Sequence, residues 1–525
     1  MRIGIDVGGT NTDAVLLGDT GSVLAAVKTA TTPDVSGGIV EALRGLQEQR
    51  AFDPGGVRAV MIGTTHFINA LVEARRLAPT AALRLGLPAT ASLPPMVDWP
   101  ERLVGAISGR AYLAHGGNEF DGRTISELDE DELRRHAADM AAHGVRSVAI
   151  TSVFSPVSSE FELRAAAVLA AELPDVAISL SHEIGRIGLL ERENATIVNA
   201  ALRELAAGII DGLLSSVVGA GIDAPIYLSQ NDGTLMDVEH ARRYPVSTFA
   251  SGPTNSMRGA AVLSGVGTCA VVDVGGTTTD VGVLQRGFPR EAMTEVSVAG
   301  IRTNFRMPDV LSIGIGGGSL VREAGSAVTV GPDSVGYQLT SRALVFGGDV
   351  LTATDIAVAA GRADIGDATR VAHLDRGFVR AALDRIASDV GDAVDRMRTS
   401  SQPLPVVAVG GGSVLLPDSL AGTGEVLRPE NFAVANAIGA AIAQVGGEVD
   451  RVFAVEPGRR GDVLEAARAE AVERAVAAGA IPSSVEVLEV DEVPLPYLPG
   501  GATRIRVKAV GDLQLSGRSV SLPRE

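Results

Sequence analysis

Apolar positions along this chain alternate between two periods. Short continuous runs at residues 3–5, 14–17 and 57–63 (VRAVMIG) read as buried strands. Residues 35–49 carry apolar positions at helical spacing and predict a helix between the second and third of these runs. Further on, 129–143 reads as a helix with an acidic N-terminus, 145–152 as a strand, and 159–172 as a helix entered through Ser159 as N-cap. Pro88, Pro94, Pro95 and Pro100 exclude a regular element from 87–100. Residues 191–217 read as one long helix holding Asn194, Thr196 and Asn199 among apolar neighbours, followed by a short strand at 225–228 and a turn at 231–236 (NDGTLM). SGPTNSMRGAA at 251–261 predicts a glycine turn entering a helix, and 433–446 a helix of small residues. Beyond 448 there is an amphipathic helix at 462–478 and β-like pieces at 485–490 and 503–510. Strands alternating with helices predict an α/β protein with a mixed or parallel sheet covered by helices.

One segment occurs twice. DVGGTNTD at 6–13 and DVGGTTTD at 273–280 each lie between two apolar runs, so each predicts strand, tight turn, strand. Gly8, Gly9, Gly275 and Gly276 permit positive φ and close approach of a ligand to the backbone. Successive N–H groups in such a turn form an anion-binding nest, to which Thr10, Asn11, Thr12, Thr277, Thr278 and Thr279 add polar groups. Asp6 and Asp273, leading each copy, suit a hydrated Mg²⁺ that carries phosphate oxygens. Asp13 and Asp280 read equally as turn-capping carboxylates. A third glycine loop, Gly410, Gly411, Gly412 and Ser413, follows a strand and offers bare backbone to a base and ribose. The picture is two similar halves holding a nucleotide between their hairpins.

Composition narrows the partners. The chain has 525 residues, enough for two or more domains, with 46% apolar and 21% charged residues. Its net charge of −18 disfavours nucleic acid as a partner. Aromatic residues make up 3%, so Ala, Val, Leu and Ile must build the core. The single cysteine, Cys269, excludes an internal disulfide and a thiolate zinc cluster and reads as a buried core thiol. The start of the chain has no signal-peptide pattern, and no apolar stretch is long and unbroken enough to span a membrane, so a cytoplasmic location is expected. Seven histidines without HxH or HExxH spacing mark no metal site, and there is no GxSxG. His66 and His182 each read as a base or as a structural histidine. Asn194 and Asn199 either face a substrate pocket or cap a neighbouring turn.

The set of motifs resembles the acetate kinase, sugar kinase, heat-shock chaperone and actin superfamily. There, 6–13 and 273–280 correspond to the two phosphate motifs, VVAVGGGS at 406–413 to the adenosine motif, and ANAIGAA at 435–441 to the second connecting helix. GTTHFINAL (63–71), ERENATIVNAAL (191–202), SQNDGTLM (229–236), SGPTNSMRGAA and SIGIGGGSL (312–320) follow one another as in the A-type subunits of the hydantoinase/oxoprolinase family. This resemblance implies two ribonuclease H-like halves facing a nucleotide cleft, with a small α+β C-terminal tail. It implies an N-terminal domain over 1–187, a second domain over 188–448 and a tail over 449–525. It also implies ATP and Mg²⁺ as cofactors, with Asp6 and Asp273 in catalytic and metal-holding roles. The activity implied is ATP-dependent activation of a cyclic amide through phosphorylation of its carbonyl oxygen. Thr64, Thr65, His66 and Asn69 would then face the substrate. Ile68 stands where relatives often carry threonine. The single-chain oxoprolinases carry a second large region not seen in these 525 residues, so a B-type partner subunit is expected, together with a homodimer and with the tail as a docking element. The alternatives from other classes are a small-molecule kinase and a chaperone-like or filament-forming ATPase.

Overall fold

The computed structural model describes residues 1–9, 11–30, 35–292, 296–324, 327–456, 458–496 and 501–515. Three sheets carry the architecture. The first begins with an antiparallel hairpin, β1 (Arg2–Val7) and β2 (Asn11–Leu17), extended on one side by β3 (Val23–Ala30) and on the other by parallel β4 (Val60–Thr64). Beyond β4 lie β9 (Ile226–Ser229) and β10 (Leu235–Asp237). The second sheet repeats the plan: the hairpin β11 (Cys269–Val274) and β12 (Thr279–Gln285) is flanked by antiparallel β13 (Phe288–Pro289) and β14 (Val310–Ile313) and by parallel β15 (Val406–Val409), which continues to β16 (Val426–Leu427). The third sheet, of parallel strands, runs β6 (Arg110–His115), β5 (Thr80–Leu87), β7 (Ser147–Ser152), β8 (Ala177–Leu180).

The predicted helices form where their buried positions recur every three or four residues. In α1 (Val35–Gln49), Ile39, Ala42, Leu43 and Leu46 are buried against the first sheet. The long helix α2 (Leu189–Gly219) is buried at almost every position from Arg192 to Leu202, because it runs between the first and third sheets. Its buried polar residues are met by partners from both sides, as Arg84 meets Glu193 and Trp99 meets Asn194.

Two segments depart from the reading of the sequence. The helix α3 (Ser251–Ser264) begins at Ser251, with no preceding glycine turn. Gly252 and Pro253 lie in its first turn, where proline loses no hydrogen bond. The segment 433–446 is not one helix. A short α4 (Ala435–Ala440) is followed by β17 (Gln444–Ala454), an eleven-residue strand. Gly447 pairs with Ala509 in this strand, and a Cβ there would collide with the backbone of the tail helix at Ala471 and Ala475.

The tail is not an appendage. β18 (Glu486–Pro494) pairs with β19 (Ala502–Asp512), β19 pairs with β17, and β17 joins β10, so all three extend the first sheet to nine strands. Sheet membership thus cuts across divisions at 187 and 448. The tail helix α5 (Arg460–Ala477) buries Leu464, Ala467, Ala471 and Ala475 in the core formed with β17 and β19. Its apolar face is already covered and cannot serve as the expected docking surface.

Candidate functional site

The duplicated octapeptides form duplicated geometry. Asp6 pairs with Asp13 across the first hairpin and Asp273 with Asp280 across the second. The Gly8 N–H closes its turn on the Asn11 carbonyl at 3.0 Å, and the Gly275 N–H does the same on Thr278 at 2.9 Å. None of Gly8, Gly9, Gly275 and Gly276 has positive φ. What glycine provides at the first position of each pair is closeness: a Cβ at Gly8 would sit 3.1 Å from the Asn11 carbonyl oxygen, and one at Gly275 3.3 Å from that of Thr278. The exposed residues of the loops are Gly9, Gly276, Thr277 and Thr278. Thr279 turns inward, its hydroxyl donating to the Ile315 carbonyl at 2.6 Å, and Thr12 is fully buried. Thr10 lies outside the described residues.

Each aspartate faces a glycine at the end of the neighbouring parallel strand. A Cβ at Gly63 would collide with the Asp6 carboxylate, and one at Gly410, where φ is +80°, with that of Asp273. Gly412 backs onto Val274, and Gly411 is open to solvent. The Ser413 side chain is fully buried, so only the backbone of this loop is presented. The other glycine cluster, 316–318, clamps the second hairpin: the Gly317 N–H donates to the Gly275 carbonyl at 2.9 Å and Gly318 N–H to Gly276 at 2.7 Å. That settles its place as a support for the loop.

α3 and α4 cross between the hairpins without intervening side chains. A Cβ at Gly259 would collide with the Ala435 carbonyl and one at Gly439 with the Asn255 carbonyl. Three residues on these helices, none singled out from the sequence as site residues, hold the aspartates. Asn255 Nδ2 donates to Asp6 Oδ1 at 3.1 Å, and Asn436 Nδ2 to Asp6 Oδ2 at 3.0 Å and Asp13 Oδ2 at 2.8 Å. Ser256, next to Asn255, hydrogen-bonds Asp273. Lys28 Nζ sits 2.8 Å from Asp13. Both motifs were visible in the sequence, but the polar residues within them gave no signal separating a carboxylate partner from an ordinary helix residue.

Burial pushes the carboxyls of Asp6 and Asp273 up to about 6 against the opposing pull of the Asn255 and Ser256 bonds. At Asp6 the charge of Asp13 adds to the rise, and at Asp273 those of Asp280 and Asp6 do. Asp280 is also raised by burial, and its carboxylate accepts from the Ser312 hydroxyl at 2.5 Å. Among the described residues no three His, Cys, Asp or Glu side chains gather as a cation cage.

The turn after β4 lies against the first hairpin. The Thr65 N–H donates to the Val7 carbonyl at 3.3 Å, and a Cβ on Gly9 would be 3.9 Å from Asn69 Nδ2. Thr64 is buried, pairs with His66 Nδ1 through its hydroxyl at 2.8 Å, and is bound to Ser251 at the start of α3. Asn69 is exposed, whereas Ile68 packs against the core. Asn194 and Asn199 pin neighbouring segments: Asn194 accepts from Trp99 Nε1 at 2.7 Å and donates to the Arg302 carbonyl, and Asn199 donates to Ser179 and to the Arg243 carbonyl. Cys269 is a buried core thiol, as its apolar setting implied.

A hairpin plus a parallel strand, occurring twice and joined across two close-packed helices, defines a duplicated mixed α/β fold. The same fold is found in the crystal structure of the ATP-dependent caprolactamase from Pseudomonas jessenii, at a TM-score of 0.80 and 20% identity over 100% of this chain and 90% of that one. It also appears in a nucleotide-free acetone carboxylase structure, at a TM-score of 0.69 and 17% identity over 98% and 88%. Residues 2–173 match the hydantoinase/oxoprolinase N-terminal region and residues 192–395 the hydantoinase/oxoprolinase domain, and the chain belongs to that family. It is 27% identical to the caprolactamase subunit alpha of Pseudomonas jessenii over 416 residues, which is 74% of this chain and 58% of that subunit's length. Among the described residues no helix is long and apolar enough to cross a membrane.

Proposed function

We propose that this chain is the ATP-using subunit of an enzyme that opens a cyclic amide after phosphorylating its carbonyl oxygen. The observation that carries the reading is the pair of facing Asp-Val-Gly-Gly hairpins, whose aspartates are held by consecutive residues of one helix. The caprolactamase relative supplies the substrate class. A cyclic amide resists water because its nitrogen feeds electrons into the carbonyl. Moving the terminal phosphoryl group of ATP onto the carbonyl oxygen removes that resistance, and the protein's task is then positioning and charge stabilisation. In this reading the exposed tips, Gly9, Gly276, Thr277 and Thr278, receive the phosphates. The bare backbone at Gly410 to Gly412 receives the adenosine, and Thr65, His66 and Asn69 line the substrate side beside buried Thr64.

With no cation cage among the described residues, Asp6 and Asp273 suit an ion that brings water and phosphate oxygens as its remaining ligands, as Mg²⁺ does. Each oxygen of Asp6 accepts one amide bond and keeps a lone pair. Asp6 and Asp273 would hold the ion, which would supply charge neutralisation at the transferring phosphoryl group. A second polypeptide fits this scheme, since the relative is named as one subunit of an enzyme.

The test is ATP turnover with and without a panel of lactams, hydantoins and oxoproline, alone and with a B-type subunit. Stimulation by a cyclic amide with release of the ring-opened product is expected. A stable phosphorylated product seen by phosphorus NMR would instead make the chain a kinase.

Gly276→Val separates ligand contact from folding. The position has no positive φ, and a Cβ there meets nothing within 4 Å. Thermal stability should be unchanged while ATP affinity falls by about tenfold or more, because the side chain occupies space at the loop tip. Wild-type affinity by calorimetry would remove the second loop from phosphate binding.

A further inference from the structure

β10 meets β17 at one register position, Leu235 opposite Val445. A cavity of about 600 Å³ opens beside this junction, walled by His182, Asn231, Asp232, Arg306, Glu448 and Lys508 among others. The functional reading above makes no use of it.

Behind His182 in this wall lies a buried carboxylate, Glu162. Glu162 is fully buried and receives four hydrogen bonds. The Ser152 N–H, at 2.9 Å, and the Ser181 hydroxyl donate to one oxygen; the His182 backbone N–H, at 3.0 Å, and ring Nδ1, at 2.6 Å, meet the other. Burial pushes the Glu162 carboxyl up, but the bonds from His182 and Ser181 outweigh it and hold the group below its ordinary range. Glu162 thus holds His182 through both its backbone N–H and its ring Nδ1 and fixes the ring at the cavity wall.

The charges around the cavity form a balanced network. Lys508 Nζ lies 2.9 Å from Asp232 and 3.6 Å from Glu291, and Arg306 contacts Glu448, which Arg506 also reaches at 2.7 Å. Asp450 is shared by Arg186, Arg306 and Arg504. A ligand of a single charge adds a charge with no counterpart to this balance. A ligand carrying both charges offers one to each side and keeps the balance. Asn231 joins this wall to the hairpin site: its side chain accepts from the Ala250 N–H at 2.8 Å and its carbonyl from the Thr254 hydroxyl at 2.8 Å, at the start of the helix that holds both aspartates.

We propose that this cavity binds a small zwitterionic amino carboxylate, its ammonium group toward Asp232 and Glu448, its carboxylate toward Lys508 and Arg306, and His182 as a further polar contact. Opening a cyclic amide leaves a carboxylate and an ammonium group on one molecule, so the site has the chemistry of a product site; in that part the inference rests on the amide-opening reading.

The experiment is calorimetry on the full chain without nucleotide, using 5-aminopentanoate, pentanoate and pentylamine. Saturable binding of 5-aminopentanoate at least about tenfold tighter than either single-charge analogue is expected. In parallel, ¹⁵N-histidine NMR should show the zwitterion moving the His182 ring signals, identified by their loss in His182→Gln. No saturable binding, equal affinity for the three compounds, or unmoved His182 signals would each overturn the assignment. ATP turnover is measured separately. Zwitterion binding without lactam-stimulated turnover keeps the site and removes the amide-opening reading, and the reverse result removes the site alone.

Discussion

Asp273→Asn is expected to cut turnover by about 10²-fold or more while making the protein more stable at neutral pH. The loss of turnover follows from removing a charge placed where phosphoryl transfer needs it. The gain in stability follows from burial. The Asp273 carboxyl is raised from 3.8 to about 6, chiefly because a buried charge is poorly solvated, with Asp280 and Asp6 adding repulsion. The folded protein therefore holds this proton more tightly than the unfolded chain does. Its contribution to stability is fully present below about pH 4 and is lost as pH rises through about 6. Asparagine stays neutral throughout, and the Ser256 hydroxyl can reorient toward it. The variant should gain on the order of 1–3 kcal/mol at pH 7 to 8 and lose the part of the wild-type pH dependence that falls between 4 and 6. Urea unfolding at pH 4.5 and 7.5, together with turnover, measures both effects. A well-folded variant that is no more stable at pH 7.5 and turns over normally would take Asp273 out of the site.

Gly439→Ala is expected to damage stability and turnover together. The added methyl group would collide with the Asn255 carbonyl, a backbone atom that cannot swing aside. α3 and α4 would have to part, at a cost of about 1–3 kcal/mol or more. The shift would also displace Asn255 and Ser256 from the two aspartates and Asn436 from Asp6 and Asp13. Gly461→Ala is the control: it lies in the tail helix with open space around it, and should be neutral or slightly stabilising. Equal unfolding midpoints for the two variants would mean that the helices separate freely and that their contact does not position the site.

Much of this architecture was legible in the linear order of residues. The repeated octapeptide specified two hairpins of the same register, since apolar runs on both sides of a short glycine turn leave few other structures. Helix α1 appeared over the residues its periodicity marked, because a 3.6-residue period needs only one sheet face to satisfy it.

Other features depended on neighbours distant in the chain. No local pattern distinguishes a small-residue helix from a small-residue strand. Residues 444–446, read as the end of a small-residue helix, instead begin a strand because they pair with 510–512. The same long-range pairing drew the tail into the first sheet and covered the face that looked available for docking. The partners of the aspartates were also invisible, because Asn255 and Asn436 lie 249 and 430 residues from Asp6 and meet it only when two helices cross. The Glu162–His182 pair is a further case: the sequence left His182 open between two roles, and the buried carboxylate its ring meets lies 20 positions away. Sequence determined the local units, since periodicity and turn chemistry act over a few residues. Tertiary structure decided which polar groups share a low-dielectric space, and at this site that sharing is what sets the charge.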